Sequence, residues 1–188
     1  MTYRPFLALL LAACCPPGSG DSCREIPIVV NAWCDNARES KVLEIVDGDT
    51  LTMEDGESVR ILGIDAPEKY YEGHSECSSD ESATCCYGEE AGAELESIAP
   101  PGTTVRMEFD LECKGVYERT LAYLFVVNEE GEEGEEELFI NQWLIEEGFA
   151  RVYSSDVGQA REIRYYSRFQ EAQSRSQANQ KGLWGECL

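Results

Sequence analysis

Apolar and polar residues alternate along 41–46, with Val42, Glu44 and Val46 on one side and Leu43 and Ile45 on the other, which predicts a strand. Asp47-Gly48-Asp49 interrupts it with turn chemistry, and the pattern resumes over Thr50 to Met53. Asp55-Gly56 is a hairpin signal, and Ser58 to Ile64 returns as a third strand. Two more strands are predicted over Val105–Phe109 and Leu121–Val127. The period changes to helical over Gly88–Ala99, where Ala91, Leu95 and Ile98 share a face and Pro100-Pro101-Gly102 ends the run. A second helix is expected over Phe139–Glu147, with Ile140, Leu144 and Ile145 inward and Gly148 as its stop. A longer polar helix is expected over Gln159–Gln180, with Ile163, Tyr166, Phe169 and Ala172 as the buried stripe. A meander of short strands followed by helices is an α+β pattern, and the strands suit a small sandwich or barrel.

Composition narrows the class. A hydrophobic fraction of 43% in 188 residues is enough for a real core. The formal net charge of -22 argues, taken alone, against a phosphate-binding surface. Part of that charge is local, in Glu129, Glu130, Glu132, Glu133, Glu135, Glu136 and Glu137, broken by Gly131 and Gly134, which reads as a solvated hairpin loop. A global charge does not set the potential inside a single cleft, least of all one that holds a divalent cation.

The N-terminus points to export. Arg4 precedes the apolar run Phe6–Ala13, which is too short to span a bilayer and reads as a signal peptide over residues 1–13. Leu11-Ala12-Ala13-Cys14 is similar to a lipobox, in which Cys14 becomes a lipidated N-terminus and a membrane attachment; ordinary cleavage nearby is the other reading. Residues 14–40 are read as a linker and N-terminal extension, and 41–188 as the globular domain. There are nine cysteines, an even number once Cys14 is set aside, as expected for disulfides in an oxidising compartment. His74, Cys77, Cys85 and Cys86 are also compatible with zinc, but disulfides fit an exported chain better, and adjacent Cys85 and Cys86 are expected to take different partners. Tyr70, Tyr71 and Tyr87 are open to two readings, base stacking or ordinary packing.

Several residues at strand ends carry hydrolytic chemistry. Cleaving a phosphodiester requires a positioned water, charge opposite the phosphate oxygens and help for the leaving oxygen. Asp49 follows the first strand, Arg60 lies in the third, Asp65 and Glu68 bracket its exit at Pro67, and Arg119 precedes the strand from Leu121. Carboxylates and carbonyls bind hard divalent cations, arginine forks match phosphate, and a carboxylate can orient or deprotonate water. Each residue taken singly also has a structural reading as a turn or surface charge; the set favours chemistry.

The segments that carry these residues resemble the staphylococcal nuclease (thermonuclease) family. They are Val46-Asp47-Gly48-Asp49-Thr50, Val59 through Glu68, Tyr87-Gly88-Glu89-Glu90-Ala91, Tyr117 through Tyr123, Asn141 through Tyr153, and Lys181-Gly182-Leu183-Trp184, in order from about Lys41 to Glu186. The resemblance implies a five-stranded OB-fold barrel with about three helices. It implies Ca2+ held by Asp49, Asp65 and the Ala66 carbonyl, with Asp47 behind them. It also implies Glu68 as general base or water-orienting carboxylate, and Arg60 and Arg119 clamping the phosphate. The implied activity is cleavage of DNA, and of RNA, to 3′-phosphate products by a monomer. A non-catalytic OB-fold binding module or a structural surface lipoprotein is the alternative. Two departures stand out: Glu118 occupies the place of a glycine before the second arginine, and the basic rim of the family is largely missing.

Overall fold

The computed structural model describes residues 37–69, 85–110, 113–115, 117–128, 137–153 and 163–187. The expected signal segment with Cys14, the tether, the loop bearing Tyr70, Tyr71, His74 and Cys77, and the acidic run up to Glu136 lie outside the described residues. In chain order the elements are β1 (Arg38–Ile45), β2 (Thr50–Met53), β3 (Ser58–Ile61), β4 (Ile64–Asp65), α1 (Gly88–Ile98), β5 (Thr104–Glu108), β6 (Thr120–Val126), β7 (Leu138–Phe139), α2 (Ile140–Glu146), β8 (Arg151–Val152), α3 (Tyr166–Ala178) and α4 (Leu183–Glu186). No helix among the described residues is long and apolar enough to cross a membrane.

Five of these strands close a barrel in the order β3-β2-β1-β5-β6, and the parallel pairing of β3 with β6 seals it. β1 serves both halves: residues 38–41 pair with β5 and residues 42–45 with β2. The register slips between Val42 and Glu44, and this bulge lets one strand turn the corner of a small barrel. Burial alternates in β3 and β5, where Val59, Ile61, Val105 and Met107 are buried and their neighbours are not, whereas in the segment 41–46, whose sequence alternates, only Val42 is buried.

Helices cover the barrel where it is apolar. Leu95 of α1 and Ile140, Leu144 and Ile145 of α2 are fully buried. Phe169 and Ala172 of α3 complete the core with Tyr123, Phe125 and Phe139. The aromatic rings meet in edge and stacked contacts, with Phe125 and Phe139 centroids 4.4 Å apart. Among the described residues there are four helices where about three were expected, because the end of the Lys181-Gly182-Leu183-Trp184 stretch winds into the short α4. α2 starts one residue later than its apolar spacing suggests, since Leu138 and Phe139 pair with β6 instead. α3 starts at Tyr166, because Arg164 is engaged elsewhere: its backbone N–H donates to Asp110 and its guanidinium to Glu108 and the Phe109 carbonyl.

Cys86 is bridged to Cys187, which joins the entry of α1 to the residue after α4. Cys85 and Cys113 are disulfide-bonded as well. The neighbours Cys85 and Cys86 therefore take different partners, as expected. Tyr87, between that bridge and α1, stacks on Phe149 at 5.5 Å, which is the packing reading of this ring.

Candidate active site

The turn between β1 and β2 presents the first acid. The Asp49 N–H donates to Asp47 Oδ1 at 3.0 Å, a local turn bond that explains the Asp-Gly-Asp order. Gly48 is a steric requirement: a Cβ there would lie 2.7 Å from both the Ala66 and the Ala91 methyls. The turn is thus pressed between the end of β4 and helix α1, and Asp49 is carried inward to 1% exposure.

Asp49 is held from three sides. Its Oδ2 accepts the Ala66 N–H at 2.8 Å, its Oδ1 accepts the Thr50 hydroxyl at 3.1 Å, and the Arg60 guanidinium is ion-paired with the same oxygen. Arg60 Nη2 lies 2.9 Å from Asp65 Oδ1, so one guanidinium bridges two carboxylates supplied by different elements. Asp49 is sealed in while the Asp65 side chain is 52% exposed, so the group opens to solvent on the Asp65 side.

One arginine does not fully compensate the buried acid. Burial pushes the Asp49 carboxyl up to about 8; Arg60 and the Ala66 N–H pull it down, and Asp47 adds to the rise. An acid whose native pKa lies above its unfolded value destabilises the fold as pH rises between the two, because the unfolded chain gives up its proton first. In chelator, stability is therefore expected to fall between pH 5 and 8, with a slope of up to about 1.4 kcal/mol per pH unit. Asp49→Asn should flatten this decline, as followed by denaturant unfolding at each pH.

The structure brings Asp49, Arg60, Asp65 and Ala66 together. Glu68 is exposed three residues beyond Asp65, and its loop is seated on α1. Gly88 makes that seat, since a Cβ there would come within 2.0 Å of the Glu68 carbonyl oxygen. Arg119 immediately precedes β6, the strand that pairs with the one carrying Arg60, with Val59 opposite Thr120 and Arg60 opposite Leu121. Its guanidinium lies 5.6 Å from the Tyr117 ring centroid, and Tyr117 is 77% exposed. Tyr117 and the Thr50 hydroxyl were not singled out from sequence; a lone threonine or tyrosine carries no signal until the fold places it beside a charge.

Residues 58–186, from the start of β3 to the end of α4, match the family model described as staphylococcal nuclease homologue. The chain belongs to the staphylococcal nuclease family. It is similar to a protein named thermonuclease from Staphylococcus hyicus, 29% identical over 161 residues that cover 82% of this chain and 81% of that protein. It is also similar to a thermonuclease of Staphylococcus intermedius, 29% identical over 146 residues, 76% of this chain and 74% of the relative.

Within this nuclease-family barrel the donor set fits a hard cation. Two carboxylates and a backbone carbonyl at Ala66 are oxygen ligands of the kind Ca2+ takes, and the buried Asp49 lacks enough positive charge. Among the described residues no group of three or more acids, histidines or cysteines converges, so the carbonyl and solvent would have to complete the shell. Glu118 is in the left-handed region, at φ 61, which is the conformation that favours glycine. Among the described residues Arg119 is found over Tyr117 rather than ion-paired with Glu118. Glu118→Gly should release about 1 kcal/mol of backbone strain, offset in part by the freedom that glycine adds to the unfolded chain. The expected net result is a melting temperature unchanged or raised by a few degrees, read by calorimetry.

Proposed function

We propose that the protein is an exported, Ca2+-dependent endonuclease that hydrolyses phosphodiester bonds of DNA, and of RNA, to 3′-phosphate products. The observation that carries this reading is the Asp49–Arg60–Asp65 group, one guanidinium fork shared by two carboxylates of which one is buried and under-neutralised. Asp49, Asp65 and the Ala66 carbonyl are the proposed Ca2+ ligands. A Ca2+ ion bound there supplies positive charge opposite both the carboxylates and the phosphate oxygens. Arg60 would present to a phosphate the fork it presents to carboxylates, since the two anions share a geometry. Arg119 would approach from the neighbouring strand, and Glu68 would orient or deprotonate the attacking water.

Export rests on the N-terminal segment, with residues 1–13 as signal peptide, 14–40 as extension and Cys14 as a site of lipidation and membrane attachment. The bridge between Cys86 and Cys187 supports an oxidising destination, and the enzyme is proposed to act as a monomer. With a net charge of -22, substrate binding should lean on the cation and on added salt more than on a basic surface.

The test is cleavage of single-stranded DNA by the purified, oxidised protein, with Ca2+ or with chelator, across a salt series. The expected result is Ca2+-dependent cleavage that falls on the order of 10²-fold or more in both Glu68→Ala and Arg119→Ala. No cleavage at any salt by a folded protein would leave a non-catalytic OB-fold binding or structural module.

A further inference from the structure

Of the two arginines of the proposed site, Arg60 lies in β3 and Arg119 just before β6, and one acidic side chain that the family resemblance does not point to joins those strands. Glu57 immediately precedes β3, and its side chain is 17% exposed. Its Oε1 accepts the Thr120 hydroxyl at 2.5 Å and lies 3.4 Å from Lys114 Nζ, while its Oε2 is ion-paired with Arg38 at the start of β1. Lys114 Nζ also donates to Thr120 Oγ1 at 2.7 Å, and Lys114 and Thr120 form a bridge across the connection between β5 and β6. Thr120 is 2% exposed, so its hydroxyl depends on these partners rather than on bulk water.

Arg119 lies inside this latch. Its carbonyl accepts the Gly115 N–H at 2.9 Å, the Glu118 N–H donates to the Gly115 carbonyl at 3.0 Å, and the next residue is Thr120. The position of the Arg119 backbone relative to β3, and so to Arg60, is set by whatever holds Thr120 and Lys114 to the head of β3. The parallel β3–β6 ladder starts only at Val59 and Thr120, so nothing in that ladder restrains the chain before it.

We propose that Glu57 is a positioning residue for the phosphodiester reaction: it latches the Lys114–Thr120 turn to the head of β3 and thereby fixes Arg119 against Arg60. This rests on the nuclease reading above. An exposed Lys–Glu pair alone would contribute little; the buried hydroxyl, and the shared role of Glu57 on three elements, give the contact its leverage. Glu57 acts through Arg119 and touches neither cation ligands nor substrate.

The experiment compares the full-length protein with Glu57→Ala and Glu57→Gln by amide hydrogen exchange and by steady-state cleavage of single-stranded DNA. In Glu57→Ala the amides of Gly115, of Glu118 and of Leu121, whose N–H donates to the Cys113 carbonyl at 3.0 Å, should exchange at least about tenfold faster, while the β1–β2 ladder keeps its protection. kcat should fall by roughly tenfold with KM changed less than about threefold. Glu57→Gln retains an oxygen for the Thr120 hydroxyl and should restore both readouts. In an Arg119→Ala background, Glu57→Ala should lower kcat no further, because it acts through the group already removed. Unchanged exchange at those three amides, a glutamine variant as impaired as alanine, or an undiminished kcat effect without Arg119 would each overturn the proposal. Failure of the wild type to cleave would sink the nuclease reading alone, since the exchange measurement judges the latch without it.

Discussion

Arg60→Lys is expected to lower Ca2+-dependent cleavage by on the order of 10²–10³-fold while the protein stays folded. The argument is geometric. Arg60 uses two nitrogens on two carboxylates, Asp49 and Asp65, and its planar fork fixes the spacing and direction of those two donors. Lysine keeps the positive charge beside buried Asp49 and so avoids the larger stability loss, about 3–5 kcal/mol, that follows when a buried acid is left without its counter-charge. That loss would make Arg60→Ala uninformative, because a fall in rate would mix with unfolding. Lysine gathers its donors on a single nitrogen at the end of a flexible stem, so it cannot set two donors at the separated points that the guanidinium fork reaches. The check is kcat/KM on single-stranded DNA together with a melting curve. A lysine variant that cleaves within a few-fold of wild type would show that charge suffices and that the fork has no special part.

The longer strands of the barrel were legible from their apolar patterns and from the turns beside them: Asp47-Gly48-Asp49 and Asp55-Gly56 separate β1, β2 and β3 with no help from tertiary contacts. Strands β4, β7 and β8 were not legible. Each is two residues long, too short for any period, and exists only because a partner lies alongside, as Asp65 does opposite Arg151. The start of β1 at Arg38 was missed for a related reason, since residues 38–41 are ordered by pairing with β5, some sixty residues away in the chain. The acidic group of the site was visible as residue types at strand ends, but its internal economy was not. Sequence does not say that Asp49 is sealed while Asp65 is open, nor that a glycine is needed at position 48 to bring Asp49 against Ala66. Glu57 was invisible for the same reason: among so many acids, only the partner geometry separates a latch from a solvated charge.

Asn141→Ala is expected to cost about 3 kcal/mol or more. Asn141 is fully buried at the start of α2. Its Oδ1 accepts the Leu124 N–H at 2.9 Å and its Nδ2 donates to the Leu62 carbonyl at 2.8 Å. One amide therefore ties α2 to β6, which Arg119 precedes, and to the residue just after β3, which carries Arg60. Alanine leaves a buried donor and a buried acceptor unpaired, each costing about 1–3 kcal/mol, and adds a small cavity. A domain of this size should then melt roughly 10 °C lower. Asn141→Asp separates the two bonds. It keeps an acceptor for the Leu124 N–H, and its protonated form can still donate to the Leu62 carbonyl, whereas the ionised form sets a buried negative charge against that oxygen. Burial raises such a carboxyl above its unfolded value near 4, so its penalty grows as pH rises between the two. The melting difference between Asn141→Asp and wild type should be small at pH 5 and widen toward pH 8, whereas that of Asn141→Ala should hardly vary. Parallel curves for the two variants would show that Leu62 and Leu124 find other partners, and that the amide is not what joins these two strands.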